Sequence, residues 1–492
     1  MKNSFYIIFS ILIITACNNQ DQNTSIVTEK VDWSNDRACS ISVDKAFINN
    51  IIKNMTLEQK VGQIIMPDID EVTPQDAKQY QLGTFLNGGG KFPNKDKNSS
   101  VEDWKKLSAD FYNASPVVDG IVVPILWGTD AVHGHNNVIG ATIFPHNIGL
   151  GATRNADLVR DIGKATALEV ISTGVIWTFA PAITAPQDLK WGRTYEGYSE
   201  DSNIVSVMGG ALIEGLQGRN KDFLSNNHIL ATAKHFIGDG GTFDGIDRGN
   251  TKLSEEELKR VHGIQYFTAL DVCSQSVMAS FNSWNGKKLH GYKYLLTDLL
   301  KNQMGFEGVV VGDWNGHQEV DGCYSYSCSE TINAGLDMFM VTESWKMLYQ
   351  NTLQQVKTGE ISLERLNDAV RRILRVKSNY GLFSKLEPSK RYLDFPLETI
   401  GSQRHRDLSR QAVRESLVLL KNNNQTLPLN PSLNFLVIGR GAKEISKAAG
   451  GWSFTWQGTG TTNKDFPGAT SIYERSEEHT SELQSPMYLV CR

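Results

Sequence analysis

The sequence contains no long run of basic residues. Its 49 lysines and arginines are outnumbered by 54 aspartates and glutamates, which gives a formal net charge of -5. Nucleic-acid-binding domains usually carry a clustered positive patch, so the sequence does not predict a nucleic-acid partner. With 492 residues, 40% hydrophobic and 21% charged, the composition is typical of a globular chain with two or more domains.

The apolar stretch at the N terminus, residues 5–14, lacks the length of a membrane-spanning helix, which needs about 20 apolar residues. It follows Lys2 and precedes small residues and Cys17, which is the pattern of a signal peptide. The ending "ITAC" resembles a bacterial lipobox, which would make Cys17 the lipidated first residue of the mature protein. The alternative is a plain secretory signal with an incidental cysteine.

From this pattern we expect residues 1–17 to be a lipoprotein signal peptide and the polar residues 18–44 to be a tether. The protein would then be exported and held at the bacterial cell envelope by a lipid anchor, at the outer membrane or in the periplasm.

Cysteine is scarce, with six residues in the whole chain. Cys323 and Cys328 bracket the short segment "CYSYSC", and no second pair of ligands lies nearby. In an exported protein this spacing predicts a loop disulfide rather than a metal site. Cys273 ends a helical stretch and is predicted to be a buried free thiol.

The C-terminal residues have an unusual composition. The segment "RSEEHTSELQS", residues 475–485, reads back in codons as a widely used sequencing-library adapter. We therefore expect residues 475–492 to be a non-native tail and exclude them from the prediction of the fold.

Short apolar runs alternate with amphipathic stretches between residues 45 and 397. Eight runs predict buried strands, and they begin at Val61, Leu82, Val123, Val175, Ile229, Ser276, Gly308 and Gly335. Helical patterns occupy residues 156–172, 204–216, 254–270, 292–301 and 363–380, and a capping box opens the third. This order predicts an α/β fold, a (β/α)8 TIM-like barrel over residues 45–397.

A polar linker, residues 398–413, is predicted to follow the barrel. The runs "SLVLLKN" from Ser416 and "NFLVIGR" from Asn434 predict the opening strands of a second α/β layer. Residues 414–474 are too few to complete a domain of usual size, so we expect an incomplete α/β sandwich domain.

Polar clusters follow four of the predicted strands. They contain Asp130 in "WGTDAVHGHNN", Arg193 in "WGRTYEGYSED", Lys234 and His235 in "AKHFIGDGG", and Asp313 and Trp314 in "GVVVGDWNGH". Because the carboxyl ends of barrel strands meet at one mouth, these side chains should converge there. Charged groups that bind hydroxyls and aromatic rings that stack on sugar faces together predict a saccharide site.

These blocks, with "WGTDAVHGHNNVIGATIFPHNIGLGATRN" and "GGWSFTWQG", are similar to those of glycoside hydrolase family 3, in its branch of β-glucosidases and exo-β-glucanases. The resemblance extends over residues 46–474. It implies a retaining exo-acting β-glucosidase that needs no cofactor and that removes terminal non-reducing β-D-glucosyl residues from glucans or oligosaccharides.

The resemblance also implies roles for individual residues. Asp313 would be the nucleophile and Trp314 would supply an aromatic face for the glycan. The groups implied to hold the terminal sugar are Asp130, Arg193, Lys234, His235 and Trp456. Adjacent side chains of a regular strand point to opposite faces, so Lys234 and His235 can both contact sugar only if the backbone is irregular there, which we predict.

Two departures from the family pattern are visible. "ASFNSWNG" has Phe281 where the family often places a tyrosine, so a hydrogen bond from that hydroxyl to Asp313 would be absent. The general acid of the glucosidase branch is a glutamate in the second domain, well beyond "GGWSFTWQG". We expect that residue to be missing from this chain, whose hydrolysis would then be badly impaired.

Other interpretations of the same residues stay open. A β-N-acetylhexosaminidase of this family would carry "KHFPGHG" with a histidine acting as acid, whereas this chain has "KHFIGDG" with Asp239 there. A lipid-anchored glycan-binding protein without catalysis is the second alternative. His133 and His135 mimic a metal-binding pair, but without matching ligands later we expect them to brace the site and no metal to bind. Glu196 and Asp239 are predicted to support the site residues or to form ion pairs rather than to act as catalysts.

Overall fold

A computed structural model describes residues 31–384, 397–430 and 436–481, without the side chains of residues 397 and 477–481. The expected signal peptide with Cys17, residues 18–30 of the expected tether and residues 482–492 lie outside the described residues. Contacts divide the chain into Met1–Asp32 and Trp33–Arg492, and the described helices and strands all belong to the second unit.

Eight parallel strands form the centre of this unit. They are β1 Ile65–Pro67, β2 Thr84–Asn87, β3 Leu126–Thr129, β4 Trp177–Thr178, β5 Thr232–Phe236, β6 Ser276–Ala279, β7 Val309–Val311 and β8 Phe339–Val341. Ladders join β8 to β1, β2 to β3, β3 to β4, β5 to β6 and β6 to β7. Single bridges complete the circle at Asp68–Leu86, Trp177–Leu230 and Val311–Met338. The predicted eight-stranded barrel is therefore confirmed.

The strands form because their residues lie between two apolar layers. Every residue of β1 to β8 is buried, and β7 consists of three consecutive valines. β-branched residues without polar alternation suit a parallel strand covered on both faces. The carboxyl end of β7 delivers the next polar residue, Asp313, to one rim of the barrel.

Helices surround the barrel and alternate with its strands. The α-helices are Lys45–Asn54, Leu57–Ile64, Pro74–Gln79, Val101–Asn113, Asn147–Thr153, Ala156–Ile171, Ser202–Gln217, Glu255–Glu257, Ile264–Asp271, Ser329–Ala334, Trp345–Lys357, Leu363–Asn379, Gln403–Glu415, Ile445–Ala449 and Ile472–Ser481. Leu258–Gly263 and Tyr294–Gln303 are π-helical. All five helices predicted from periodicity are found, and the capping box of Ser254 with Glu257 is formed.

Short strand pairs also occur in the loops outside the barrel. Val117–Val118 pairs with Ile121–Val122 in a hairpin, and Ser283–Trp284 pairs with both Asn250–Thr251 and Lys287–Lys288.

The first strand begins later than the sequence predicts. The run from Val61 is mostly the end of the helix Leu57–Ile64, and β1 begins only at Ile65. Thr56 and Gln59 form a capping box that starts this helix, and the apolar residues after it face the core. A short apolar run has the same appearance in a buried helix and in a strand, which explains the wrong prediction.

The two strands predicted after the barrel are also wrong in the part of the chain that the structure describes. Residues 416–422 and 436–440 form no ladder, and Leu420 is 90% exposed. A strand is stabilised by hydrogen bonds to a neighbouring strand, and the described residues after Val341 offer no such neighbour.

Part of the predicted linker is a docked helix. Gln403–Glu415 begins after the cap residue Ser402 and buries His405 and Ala412. His405 Nδ1 lies 2.7 Å from Oε1 of the buried Glu169, whose carboxylate also accepts from the Thr142 amide at 2.8 Å. The other residues of this helix are mostly polar. Because of this polar composition, the sequence predicts a linker instead of a helix.

The four cysteines that the structure describes form two disulfides. Cys323 is joined to Cys328, and Cys273 is joined to Cys39 across 234 residues of sequence. The prediction that Cys273 is a free buried thiol is therefore wrong, because spacing in the sequence contains no signal for a pair so far apart. In the described residues, no helix has both the length and the hydrophobicity needed to cross a bilayer.

A buried ionic cluster lies beneath β8. Asp337, which is fully buried, accepts hydrogen bonds from Lys301 Nζ at 2.7 Å, from Arg365 and from the Val310 amide at 2.9 Å. Burial alone would raise the pKa of Asp337, but Lys301 and Arg365 lower it below its usual value. The carboxylate therefore holds two helices against the barrel.

We predict that Asp337→Asn destabilises the protein by about 3–5 kcal/mol, because it removes the fully buried carboxylate that balances Lys301 and Arg365. Asp368→Asn is the matched control, since Asp368 contacts the same cations but is 38% exposed and should cost about 1 kcal/mol or less. Urea unfolding followed by tryptophan fluorescence measures both. Equal losses from the two variants would contradict the prediction.

Candidate functional site

Asp313 is held at the end of β7 through its backbone. Its amide donates to His290 Nε2 at 3.0 Å, and the Trp314 amide donates to Asp313 Oδ1 at 2.7 Å. The other carboxylate oxygen, Oδ2, is buried, has no hydrogen-bond partner and lies 3.5 Å from His235 Nε2. One anionic oxygen thus faces the interior of the barrel mouth without a donor.

His290 was not predicted as a site residue. Its ring is buried, and burial lowers its pKa to about 4, so it is neutral near pH 7. Nδ1 lies 3.0 Å from the Ser280 carbonyl and must carry the proton, which leaves the Nε2 lone pair for the Asp313 amide. "KLHG" carries no motif that predicts this contact.

Lys234 and His235 both reach the site from β5. The ladder to β6 shifts register between Ala233 and Phe236, and the peptide bonds Lys234–His235 and Phe236–Ile237 are cis. The predicted irregularity of the backbone is therefore found. Lys234 Nζ donates to Asp130 Oδ1 at 3.1 Å.

The His235 ring bridges several groups. Nδ1 lies 2.7 Å from Asp239 Oδ2, and Nε2 lies 3.1 Å from Arg193 Nη2. A guanidinium can only donate, so Nε2 accepts from Arg193 and Nδ1 carries the proton that Asp239 accepts. Asp239 is fixed in turn by the Thr184 hydroxyl at 2.6 Å. Asp239 is thus the hydrogen-bond partner that orients the His235 ring, as expected for a residue that supports the site.

Arg193 and Glu196 form a bidentate pair, with distances of 2.7 and 2.9 Å between guanidinium nitrogens and carboxylate oxygens. Burial would raise the pKa of Glu196, but the Arg193 guanidinium lowers it to about 2. The partner role predicted for Glu196 is confirmed, and the pair fixes the guanidinium beside His235.

Asp130 completes the cluster. Burial raises its pKa, and the Lys234 ammonium offsets part of that rise. The charge of Asp313 acts on both Asp130 and Arg193, which places all of them within electrostatic reach of one another. The side chains predicted to converge after four strands therefore do so at one mouth.

Residues 449–456, from the segment after the barrel, contact the same mouth. His133 Nε2 lies 3.2 Å from the Trp452 carbonyl, and His146 Nε2 lies 3.1 Å from the Ala449 carbonyl. The two imidazoles stack at 4.0 Å. The Phe454 amide donates to the Asn136 carbonyl at 2.9 Å.

The tryptophans surround the cluster. The Trp452 ring centre lies 5.2 Å from Lys234 Nζ, a cation–π distance, whereas Trp456 is 44% exposed. A Cβ on Gly88 would lie 2.6 Å from the Trp314 ring, and one on Gly89 would lie 2.8 Å from the Trp456 amide. The glycines after β2 thus let both segments approach closely. Trp452 was not predicted, although "GGW" marks it.

Phe281 supplies no hydroxyl near Asp313. Its ring is buried and packs under the Arg248 guanidinium at 4.0 Å. This agrees with the unpartnered Oδ2 of Asp313.

The "HGH" histidines point to separate protein acceptors. His133 Nδ1 lies 3.0 Å from the Phe144 carbonyl, and His135 Nε2 lies 2.8 Å from the Thr173 hydroxyl. Within the described chain, one trio has ligand spacing, namely Cys323, Cys328 and Glu330. Its sulfurs are joined in a disulfide and offer no thiolate.

We predict that Glu196→Gln lowers the free energy of unfolding by about 3 kcal/mol at pH 7, and that this loss shrinks as the pH falls below about 4.5. The folded-state pKa of Glu196 is depressed, so its stabilisation is complete above the unfolded pKa and disappears as the pH approaches 2. Thermal melts between pH 7 and 3 test this, with Glu200→Gln, at an exposed position, as control. A loss independent of pH would contradict the assignment.

Comparisons with known proteins agree with the geometry. The family model described as the glycosyl hydrolase family 3 N terminal domain matches residues 56–376. A lysosomal beta glucosidase of Dictyostelium discoideum is 32% identical over 475 residues, which cover 90% of this chain and 56% of that protein. A periplasmic beta-glucosidase of Salmonella typhimurium is 29% identical, over 83% of this chain and 52% of its own length.

Among solved structures, an exo-1,3/1,4-beta-glucanase from a Pseudoalteromonas species is similar with a TM-score of 0.89 and 49% identity, covering 92% of this chain and 57% of that chain. The chain spans about half the length of the two sequence relatives it matches. Because the family match covers most of the barrel and well over half of the chain, this chain belongs to glycosyl hydrolase family 3.

Proposed function

We propose that this chain carries the nucleophile and the sugar-binding residues of a retaining exo-β-glucosidase, which removes terminal non-reducing β-D-glucosyl residues from glucans or oligosaccharides. The observation that carries the proposal is the buried, unpartnered Oδ2 of Asp313 at the barrel mouth. The names of the relatives, beta-glucosidases and an exo-1,3/1,4-beta-glucanase, support the substrate class.

In this proposal the paired groups around Asp313 hold the terminal glucosyl unit. The Lys234 ammonium has three N–H donors and directs one of them to Asp130. The Arg193 guanidinium is already fixed by Glu196, so binding a hydroxyl costs little side-chain entropy. His235 is fixed in the same way by Asp239, while Trp314 and Trp456 supply aromatic faces.

The chemistry follows from the position of Oδ2. It attacks the anomeric carbon, a C–O bond forms to Asp313, and the bond to the leaving oxygen breaks with its electron pair. Water then attacks the same carbon, and the C–O bond to Asp313 breaks with its electron pair returning to the carboxylate. The proton of the attacking water passes to solvent, and glucose leaves with retained configuration. The charge of Asp313 raises the pKa of the nearby Arg193, so the guanidinium stays charged beside the attacking oxygen.

A poor leaving group also needs a proton donor, and the carboxylates near Asp313 are not suited to that role. Retaining enzymes place a second carboxyl about 5–5.5 Å from the nucleophile. Among the described neighbours of Asp313, the carboxylates of Asp130, Glu196 and Asp239 are each paired with a cation or imidazole. With a pKa of about 2, Glu196 has no proton to donate near neutral pH. We therefore propose that this chain hydrolyses only activated glucosides efficiently.

Trapping tests the nucleophile. We expect a 2,4-dinitrophenyl 2-deoxy-2-fluoro-β-glucoside to label Asp313, because dinitrophenolate departs without protonation and the fluorine slows hydrolysis of the intermediate. Peptide mass spectrometry should locate the fluoroglucosyl group on Asp313 and find none in Asp313→Asn. Glucose binding by calorimetry without any labelling would favour the alternative of a glycan-binding protein.

Leaving-group dependence tests the missing donor. We expect the rate to fall steeply from 2,4-dinitrophenyl to phenyl β-glucoside, by about a hundredfold or more, since general acid catalysis contributes about 10²–10⁴-fold. Azide should accelerate turnover of the dinitrophenyl substrate and yield β-glucosyl azide, because it needs no base to attack the intermediate. Similar rates on both glucosides, with no effect of azide, would show that a donor is present.

For localisation we propose export with lipidation at Cys17, the tether leading to the barrel. The support is the signal-like sequence of residues 1–17 and the two disulfides, which suit an oxidising compartment. A relative from Salmonella typhimurium is named as periplasmic.

A further inference from the structure

Two tyrosines stand out on the surface near the barrel mouth. Tyr324 and Tyr326 are 57% and 39% exposed, whereas most aromatic side chains of the barrel are buried. Their rings are nearly parallel, with an angle of 10° and a centroid distance of 5.4 Å, so they form an offset pair. We call the residues 323–328 that carry this pair the tyrosine loop.

The tyrosine loop is rigid. Cys323 and Cys328 close it with a disulfide, and Tyr324 and Ser327 exchange two backbone hydrogen bonds of 2.9 and 3.0 Å. Rings held in this way lose little conformational entropy when a ligand binds them. Tyrosine adds to this advantage because it has only two side-chain torsions.

Contacts from the barrel fix the position of the loop. The Ser325 carbonyl lies 2.8 Å from Nε2 of the buried His317, and Ser325 Oγ lies 3.0 Å from Ser344 Oγ. The Asn351 side chain donates to the Tyr326 carbonyl at 2.7 Å. His317 follows Asp313 after β7, and Ser344 follows β8, so the loop rests on the same rim of the barrel as Asp313.

We propose that the tyrosine pair is a secondary binding site for β-linked glucan chains, separate from the pocket at Asp313. In a β-linked glucosyl unit the hydroxyls are equatorial, so the flat C–H faces stack on aromatic rings while the phenol hydroxyls remain available for hydrogen bonds. An exo-acting enzyme has to engage one end of a long chain. A site on the rim holds the polymer near the pocket and raises the local concentration of its ends.

The choice of a glycan as occupant rests on the proposed function, through the shared rim. Two small rings with polar tips make a surface that suits a sugar, whereas a protein partner would require a much larger contact area, usually about 800 Å² on each side. A protein partner is therefore an outcome of the test rather than a second proposal.

Affinity electrophoresis in native gels containing laminarin tests the site. Every variant carries Asp313→Asn so that the polysaccharide is not consumed. We expect laminarin to retard the parent variant, and Tyr324→Ala with Tyr326→Ala to weaken its binding about tenfold, because two stacking contacts are lost. Tyr324→Phe with Tyr326→Phe is the matched control and should retain most of the retardation, since the rings remain.

Glucose binding measured by calorimetry reports on the pocket independently. We expect the alanine pair to leave it unchanged. Laminarin retardation that is absent from the parent, or equal in the parent and the alanine pair, overturns the secondary site, and so does loss of glucose binding in the alanine pair. Labelling of Asp313 by the fluoroglucoside is unaffected by these outcomes, so the proposed function stands or falls separately.

Discussion

The site depends on holding Asp313 rigidly while one oxygen of its carboxylate stays unpaired. Most buried polar atoms in proteins have a hydrogen-bond partner, and leaving one without a partner costs free energy. Here the backbone supplies the rigidity: a neutral His290 accepts from the Asp313 amide, and the Trp314 amide binds Oδ1. Phe281 offers no hydroxyl to Oδ2, and the Arg193 charge nearby makes the unpaired anion tolerable. Oδ2 of Asp313 therefore has no hydrogen-bond partner within the protein and remains available to a ligand.

The neighbouring charges explain why the carboxylates of Asp130, Glu196 and Asp239 are paired while Oδ2 of Asp313 has no partner. Asp130, Glu196 and Asp239 are committed to Lys234, Arg193 and His235, respectively. Each pair is desolvated, so breaking it would leave a buried charge uncompensated. The pairs thus hold the cations in place, and Glu196, with a pKa of about 2, carries no proton to donate near neutral pH. In the proposed retaining mechanism, the proton donor for the leaving group would therefore have to be a group outside this cluster.

The features predicted correctly from the sequence depend on residues that are close together in the chain. Three valines before Asp313 marked β7, Ser254 and Glu257 marked a helix start, and the polar clusters marked the mouth. The sequence did not predict contacts between distant segments, such as the bond of Cys39 to Cys273 or the support of Asp313 by His290. Local composition also misled where tertiary packing decides the outcome. The helix Gln403–Glu415 is so polar in composition that its sequence has the appearance of a linker, and the run from Val61 is as apolar in a helix as in a strand.

The aromatic side of the mouth illustrates this limit most clearly. Trp452 is held through its own backbone carbonyl, which lies 3.2 Å from His133 Nε2. Because every residue has a backbone carbonyl, the sequence does not predict this contact. The position of its ring beside Lys234 depends on contacts with the barrel loops. His133 and His146, after β3, contact the backbone of residues 449–452. A side chain at Gly89, after β2, would collide with the Trp456 backbone. The aromatic faces proposed to contact a sugar therefore depend on the contacts between the barrel and residues 449–456. A substitution at these contacts would alter the mouth without changing any group that touches Asp313.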